Sequence, residues 1–251
     1  LKAKKMNLLQ KVKNIVIMSN ILDKCEVNMK KGFTLAEVLI TLGVIGIVAA
    51  LTLPTVIQHY KKQEASTRLK KFYTTMVQAI MLSENVNGSS KDWAKPAQMS
   101  SGGENSFTGE YDYEVNNKNA IIFFNQYFAP YLKYLKISEG SFADDKKEYS
   151  KIYFADGSVA AMKIGSCIDF QFDVNGEKKP NEYGRDIFVY FLCPSGLSML
   201  DKTFGPGALS PFNYSTRENA WQSCKSNNKT CSVLLQYYDN WEFKDDYPYK
   251  L

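Results

Sequence analysis

The chain has 251 residues, 45% of them hydrophobic and 14% aromatic, enough for one sizeable core beyond any membrane segment. Its formal net charge of +5 is unevenly placed: residues 1–32 hold eight lysines against Asp23 and Glu26, leaving 23 basic and 24 acidic residues beyond Gly32. The part after Gly32 is therefore near neutral and lacks the basic footprint of a nucleic-acid binder.

Position 1 is Leu, and Met6 and Met29 are both candidate initiators, so residues 1–28 are expected to be dispensable or to precede the natural start. Within them, Leu8, Leu9, Val12, Ile15 and Val16 recur among lysines with the period of a short amphipathic helix over 8–18. From Phe33 to Ile57 the chain is almost continuously apolar, and 25 residues are enough to cross a hydrocarbon core of ~30 Å. Lys30 and Lys31 just before the run predict a cytoplasmic N-terminus and a C-terminal domain on the far side. One acid, Glu37, interrupts the run. A carboxylate there costs roughly 2.5–3.5 kcal/mol on insertion scales, so it calls for a partner or a function.

The stretch Lys30-Lys31-Gly32-Phe33-Thr34-Leu35-Ala36-Glu37-Val38-Leu39-Ile40 resembles the cleavage and methylation signature of type IV prepilins and type II secretion pseudopilins. The resemblance implies that a prepilin peptidase cuts between Gly32 and Phe33 and methylates the new amine of Phe33. It also implies that Glu37, about one helical turn further on, neutralises the terminal amine of a neighbouring subunit during assembly. The physics agrees: an unpaired carboxylate in an apolar bundle is heavily penalised, so pairing sets subunit register. The partners that follow are the peptidase, other pilin or pseudopilin subunits, an inner-membrane assembly platform and, before assembly, membrane lipid. Two other readings address the same segment. Val48-Ala49-Ala50 resembles a secretory signal site that would release a domain beginning at Leu51, but Leu51 to Ile57 continues the apolar run. A plain single-span anchor accounts for the hydrophobicity but not for Glu37 or Gly32-Phe33.

Beyond Ile57 the chain turns polar yet keeps a helical period, with Ala65, Leu69, Phe72, Met76 and Ile80 at spacings of three or four. One helix is therefore expected from Phe33 to about Asn85, with Pro54 kinking or locally melting it. Asn85, Asn87, Gly88, Ser89 and Ser90 end it, and a polar surface loop covers 89–114. A helix is expected over 117–137 with a break at Pro130, then a hairpin of 151–155 and 158–164 around a type I′ turn at Asp156-Gly157. Strands at 167–174 and 186–192 follow, then a capping box at Ser215-Thr216-Arg217-Glu218 before a turn of helix over 221–225. The tail aromatics Tyr237, Tyr238, Trp241, Tyr247 and Tyr249 are expected to pack in a core or rim. The fold class expected is α+β and pilin-like: a long N-terminal helix, membrane stalk then amphipathic half, packed on a C-terminal antiparallel sheet. The organisation is a leader over 1–32, a membrane helix over 33–57, an amphipathic helix over 58–87 and a globular domain over 88–251.

Cys25 falls in the leader. Cys167, Cys193, Cys224 and Cys231 remain, an even number in an exported domain, and they allow three pairings. Cys224 with Cys231 closes a short C-terminal loop like that of many pilins. If Asp173 faces Ile187 across the 174–186 connection, Cys167 faces Cys193. Zinc is disfavoured, because no Cys-x-x-Cys pair exists and the one histidine, His59, lies on the stalk. Asp173, Asn175 and Glu177 alternate around Gly176, with Asp186 at the loop's end, as in loops that gather calcium. The major pseudopilins carry a calcium loop in this region. This loop, however, lacks a full EF-hand pattern, holds Lys178, Lys179 and Arg185, and also reads as a plain Asn-Gly turn.

The chain has no phosphate-cradling glycine loop, and a single histidine removes most triad schemes, so a non-enzymatic building block is expected. The alternative is a membrane-tethered binding module, an adhesin or minor tip subunit, that does not itself polymerise. The location implied is the inner membrane, then a periplasmic or surface filament.

Overall fold

In the computed structural model, the residues described are 32–93, 113–140, 149–164, 167–193, 204–206 and 216–251. The leader up to Lys31 with its amphipathic 8–18 stretch and Cys25, most of the predicted 89–114 loop, and Ser215 lie outside them.

The first helix, α1, runs over Leu35–Asn87. It crosses the boundary between two compact units, Leu1–Leu53 and Pro54–Leu251. In the first unit the large apolar side chains from Phe33 to Leu53 are exposed, and α1 is long and apolar enough to cross a membrane. Its hydroxyls are satisfied within the helix: Thr41 Oγ1 donates to Val38 O at 3.0 Å and Thr52 Oγ1 to Val48 O at 2.9 Å. That is how polar side chains are accommodated in hydrocarbon. The helix runs through Pro54 without melting, and the boundary between the units falls at that residue.

In the second unit, Ala65, Leu69, Phe72, Met76, Ala79, Ile80 and Ser83 are buried along one stripe of α1. Phe72 is central to it: its ring stacks on Phe172 at 4.1 Å and meets Tyr190 edge-on at 5.5 Å. The helix stops at Gly88, whose φ of +76° is a left-handed conformation that glycine adopts without strain.

The second helix, α2, covers Tyr113–Tyr127, and a 3-10 turn at Ala129–Tyr131 follows. The expected helix over 117–137 is thus corrected: Pro130 cannot continue the ladder, the chain extends at Leu132, and Ile137 belongs to a strand. The sheet is a six-stranded antiparallel meander: β1 Lys136–Glu139, β2 Ser150–Tyr153, β3 Val159–Ile164, β4 Ile168–Asp173, β5 Ile187–Leu192 and β6 Phe204–Pro206. The β2–β3 hairpin is present, but its turn is not type I′. Among residues 155–157 only Gly157 has positive φ, +83°, and Phe154 and Ser158 close a three-residue loop. Asp156 explains the shape, because its Oδ1 accepts from Ser158 N and Oγ.

Ile168, Phe170 and Phe172 of β4, with Phe188, Tyr190 and Leu192 of β5, face the core shared with α1. On the opposite face Val159, Ala161, Gln171, Asp173, Ile187 and Val189 are buried as well. Burial on both faces explains why β5, Ile-Phe-Val-Tyr-Phe-Leu, shows no apolar–polar alternation.

The C-terminal helix α3, Arg217–Ser226, is capped by Thr216, whose hydroxyl accepts from Asn219 N at 3.2 Å. It is followed by a 3-10 turn at Asn228–Thr230, the short α4 at Cys231–Val233 and a π-helical turn at Leu234–Tyr238. Arg217 brackets the tail: its guanidinium bonds both oxygens of buried Asp239, at 2.6 and 3.0 Å, and both oxygens of Asp246, each at 2.8 Å. Trp241 and Tyr247 are buried, Tyr249 Oη donates to Cys224 O at 3.0 Å and Tyr238 packs against the core, whereas Tyr237 is exposed.

Candidate functional site

Gly32, Phe33 and Thr34 precede the first turn of α1, so the bond between Gly32 and Phe33 lies in non-helical backbone. Phe33 is 87% exposed. Among the described residues, a Cβ built on Gly32 would meet nothing within 4 Å. Their packing therefore places no demand for glycine at this position.

Thr34 and Glu37 form a capping box at the start of α1. Glu37 Oε2 accepts from Thr34 N at 2.8 Å and from Thr34 Oγ1 at 2.9 Å, while Thr34 Oγ1 accepts from Glu37 N at 3.2 Å. Two backbone donors that the helix start leaves without partners are satisfied reciprocally. Among the described residues, Oε1 of Glu37 accepts no hydrogen bond, so one oxygen holds the helix start and the other is open. Thr34 was missed as a site residue, although its signal, Thr-x-x-Glu ahead of an apolar run, stands in the sequence.

Of the loop residues proposed for an ion, Asp173, Asn175 and Asp186 come together and Glu177 does not. Asp186 Oδ1 accepts from Glu182 N at 2.6 Å, and its Oδ2 from Asn181 N at 2.8 Å and Asn175 Nδ2 at 3.3 Å. Asp173 Oδ1 accepts from Asn175 N at 2.9 Å, and with the Asn181 amide turned to match, its nitrogen reaches Asp173 Oδ2 at 3.1 Å. Glu177 points to Lys151 and Tyr153, at 2.8 and 3.0 Å. Burial, helped by the charge of Asp186, raises the Asp173 carboxyl to about 8. Donors from the loop's own backbone and amides fill these carboxylates. Among the described residues no group of three His, Cys, Asp or Glu side chains is placed to hold a metal. The set does not fit a hard cation, which wants converging oxygens in place of N–H donors. Gly176 serves the fold: its φ is +76°, and a Cβ there would collide with Gly157 O.

Cys167–Cys193 and Cys224–Cys231 are both disulfides. The first continues the β4–β5 ladder, in which Asp173 faces Ile187 and Ile168 faces Leu192. The second joins α3 to α4, with Cys224 and Cys231 fully buried. The Arg217 bracket was also missed. Its two acids lie 22 and 29 residues away, beyond the reach of local pattern.

Residues 27–53 match the prokaryotic N-terminal methylation motif, which supports a type IV pilin-like prepilin signature. With the disulfides, the apolar helix and the sheet, the motif points to a structural, non-enzymatic, membrane-anchored protein. It implies processing by prepilin peptidase and assembly with other pilin subunits. No curated protein and no solved structure matches the chain. Residues 55–251 match a family described as "Family of unknown function (DUF6613)", and the chain belongs to that family, joined to a prepilin-type N-terminus.

Proposed function

We propose that this protein is a subunit of a type IV pilus-like or type II secretion filament, cut by prepilin peptidase between Gly32 and Phe33 and methylated on Phe33. The leader is residues 1–32, the membrane helix 33–57, the amphipathic helix 58–87 and the globular domain 88–251. Before assembly the apolar half of α1 anchors the chain in the inner membrane, with the N-terminus inside and the globular domain outside. An inner-membrane platform extracts it, and the apolar halves of neighbouring helices pack together, Glu37 meeting a neighbour's Phe33 amine.

The observation that carries this reading is the single carboxylate in an otherwise apolar run, with only one of its oxygens engaged by Thr34. The cap makes the carboxylate tolerable in the lone subunit, and the open oxygen leaves room for an incoming ammonium. Charge pairing in an apolar bundle then penalises wrong registers more than it adds to affinity.

The test is intact-mass and N-terminal analysis of the chain co-expressed with a prepilin peptidase, alongside Gly32→Ala and Glu37→Leu. Gly32→Ala is compatible with the fold, so its effect reads processing alone. The expected result is a mature chain starting at methylated Phe33 that is lost in Gly32→Ala. Glu37→Leu is expected to be cut yet to leave no filaments by shear fractionation. An uncut wild-type chain, or one starting at Leu51, would sink the proposal, and a cut chain that never polymerises would leave a tethered binding module.

A further inference from the structure

One cavity of the globular unit carries charge that the filament reading leaves unused. It has a volume of about 430 Å³ and lies between α1 and the 174–186 loop, with Lys61, Lys178 and Lys179 in its lining beside buried Ala65 and Val174. That volume is in the range of small-molecule sites, roughly 300–1,000 Å³.

Every acidic side chain that lines it is already engaged. Glu64 pairs with Arg68 at 2.7 Å, Asp156 pairs with Lys71 at 2.7 Å and accepts from Ser158, and Asp186 is filled by the N–H groups of Asn181 and Glu182. Arg185, also in the lining, pairs with Glu182 at 2.8 Å. Lys61, Lys178 and Lys179 are exposed, and their ammonium groups make no ion pair or hydrogen bond among the described residues. Three unmatched ammonium groups therefore surround one concavity. Cationic side chains that outnumber the acidic ones in a lining, here five against three, raise the local concentration of anions, and a cleft focuses that field. Lysine binds phosphate as a compact charge on a flexible stem and needs no bidentate geometry.

We propose that this pocket binds the phosphate headgroup of an anionic phospholipid while the subunit is still in the membrane. The proposal rests on the membrane-anchored reading above. Position selects lipid over a free anion. Lys61 follows Ile57, the end of the apolar run, by four residues, a rise of ~6 Å along a helix. A lysine one turn beyond an apolar span reaches the headgroup layer, and basic clusters next to a span attract anionic lipid. Extraction into a filament would break these contacts, so the pocket would hold the subunit in the bilayer until assembly.

The test uses the full chain in nanodiscs of phosphatidylcholine mixed with phosphatidylglycerol, with native mass spectrometry reading the lipid retained on the released protein. Wild type is expected to retain phosphatidylglycerol several-fold over phosphatidylcholine, and the variant Lys61→Gln/Lys178→Gln/Lys179→Gln to retain the two alike. Lys70→Gln/Lys133→Gln, exposed lysines outside the pocket, is expected to keep the selectivity. A second variant, Lys178→Gln/Lys179→Gln, leaves α1 untouched and is expected to lose part of it. Equal retention by wild type, or undiminished selectivity in the triple variant, would overturn the proposal. So would inorganic phosphate that abolishes the selectivity and raises the melting temperature as much in detergent without lipid, which would make the ligand a free anion. Cleavage at Gly32 is scored on the same samples: a selective but uncut chain sinks only the filament reading, and a cut but unselective chain sinks only this one.

Discussion

The two ends of α1 are built from the same helix geometry for different solvents. Over Phe33–Leu53 the apolar side chains run all round the helix and stay exposed, with only the Thr34–Glu37 box and internally bonded Thr41 and Thr52 as polar features. Over Ala65–Ser83 the apolar residues narrow to one stripe, and that stripe is buried on the sheet. A helix that is apolar all round expects lipid or other helices, whereas one with a stripe expects a core. The lesson is that one element can serve anchorage and folding, and that substitutions in its two halves have separable consequences.

The largest expected effect is in the packed half. Phe72→Ala removes a ring touching Phe172, Tyr190 and Phe154, and is expected to cost about 3–5 kcal/mol in urea unfolding of the full chain in detergent. Leu42→Ala, in the exposed half, is expected to leave the same curve unchanged, and equal losses at the two sites would break the comparison. Next is Cys167→Ser/Cys193→Ser, expected to lower the same unfolding free energy by roughly 2–4 kcal/mol while leaving cleavage at Gly32 intact.

A pH series sharpens the comparison from another side. The Asp173 carboxyl is raised to about 8 by burial first and the Asp186 charge second. The folded chain therefore holds a proton there that the unfolded chain has released above its ordinary value near 3.9. Stability is full below that value and falls as pH rises through about 8. The melting temperature of the globular unit is expected to drop across this window, and Asp173→Asn to flatten the drop. A profile unchanged by Asp173→Asn would refute the assignment. The smallest effect belongs to the first turn of α1: Thr34→Ala removes the cap, worth about 1 kcal/mol, and is expected to speed hydrogen exchange at the Glu37 amide without moving the unfolding curve.

Legibility in the sequence followed the range of the interactions. The buried stripe of α1 was readable because helical period is local, and so was the β2–β3 hairpin, whose turn chemistry spans a few residues. Cys167 opposite Cys193 was readable because an antiparallel register, once one pair is placed, places all the others. The type of the hairpin turn was not readable, since Asp156 bonding Ser158 selected a three-residue loop over the two-residue one. The extent of α2 was misjudged past Pro130, where pairing with Ile152 drew Ile137 into β1. In the 173–186 loop alternation put oxygens near one another, and the tertiary structure gave the Asp186 oxygens to the loop's own N–H groups.

By itself, then, the sequence determined the prepilin signature, the long helix with its change of character after Ile57, and the antiparallel α+β architecture, because each rests on short-range pattern or on the cost of burying charge in lipid. Only the tertiary structure decided that both faces of the central strands are buried, that Arg217 draws Asp239 and Asp246 onto one guanidinium, and that Lys61 shares a cavity with Lys178 and Lys179. Those outcomes depend on which distant segments meet in space, and hydrophobic burial, which drives the meeting, is non-directional and leaves no periodic trace of its partner in the chain.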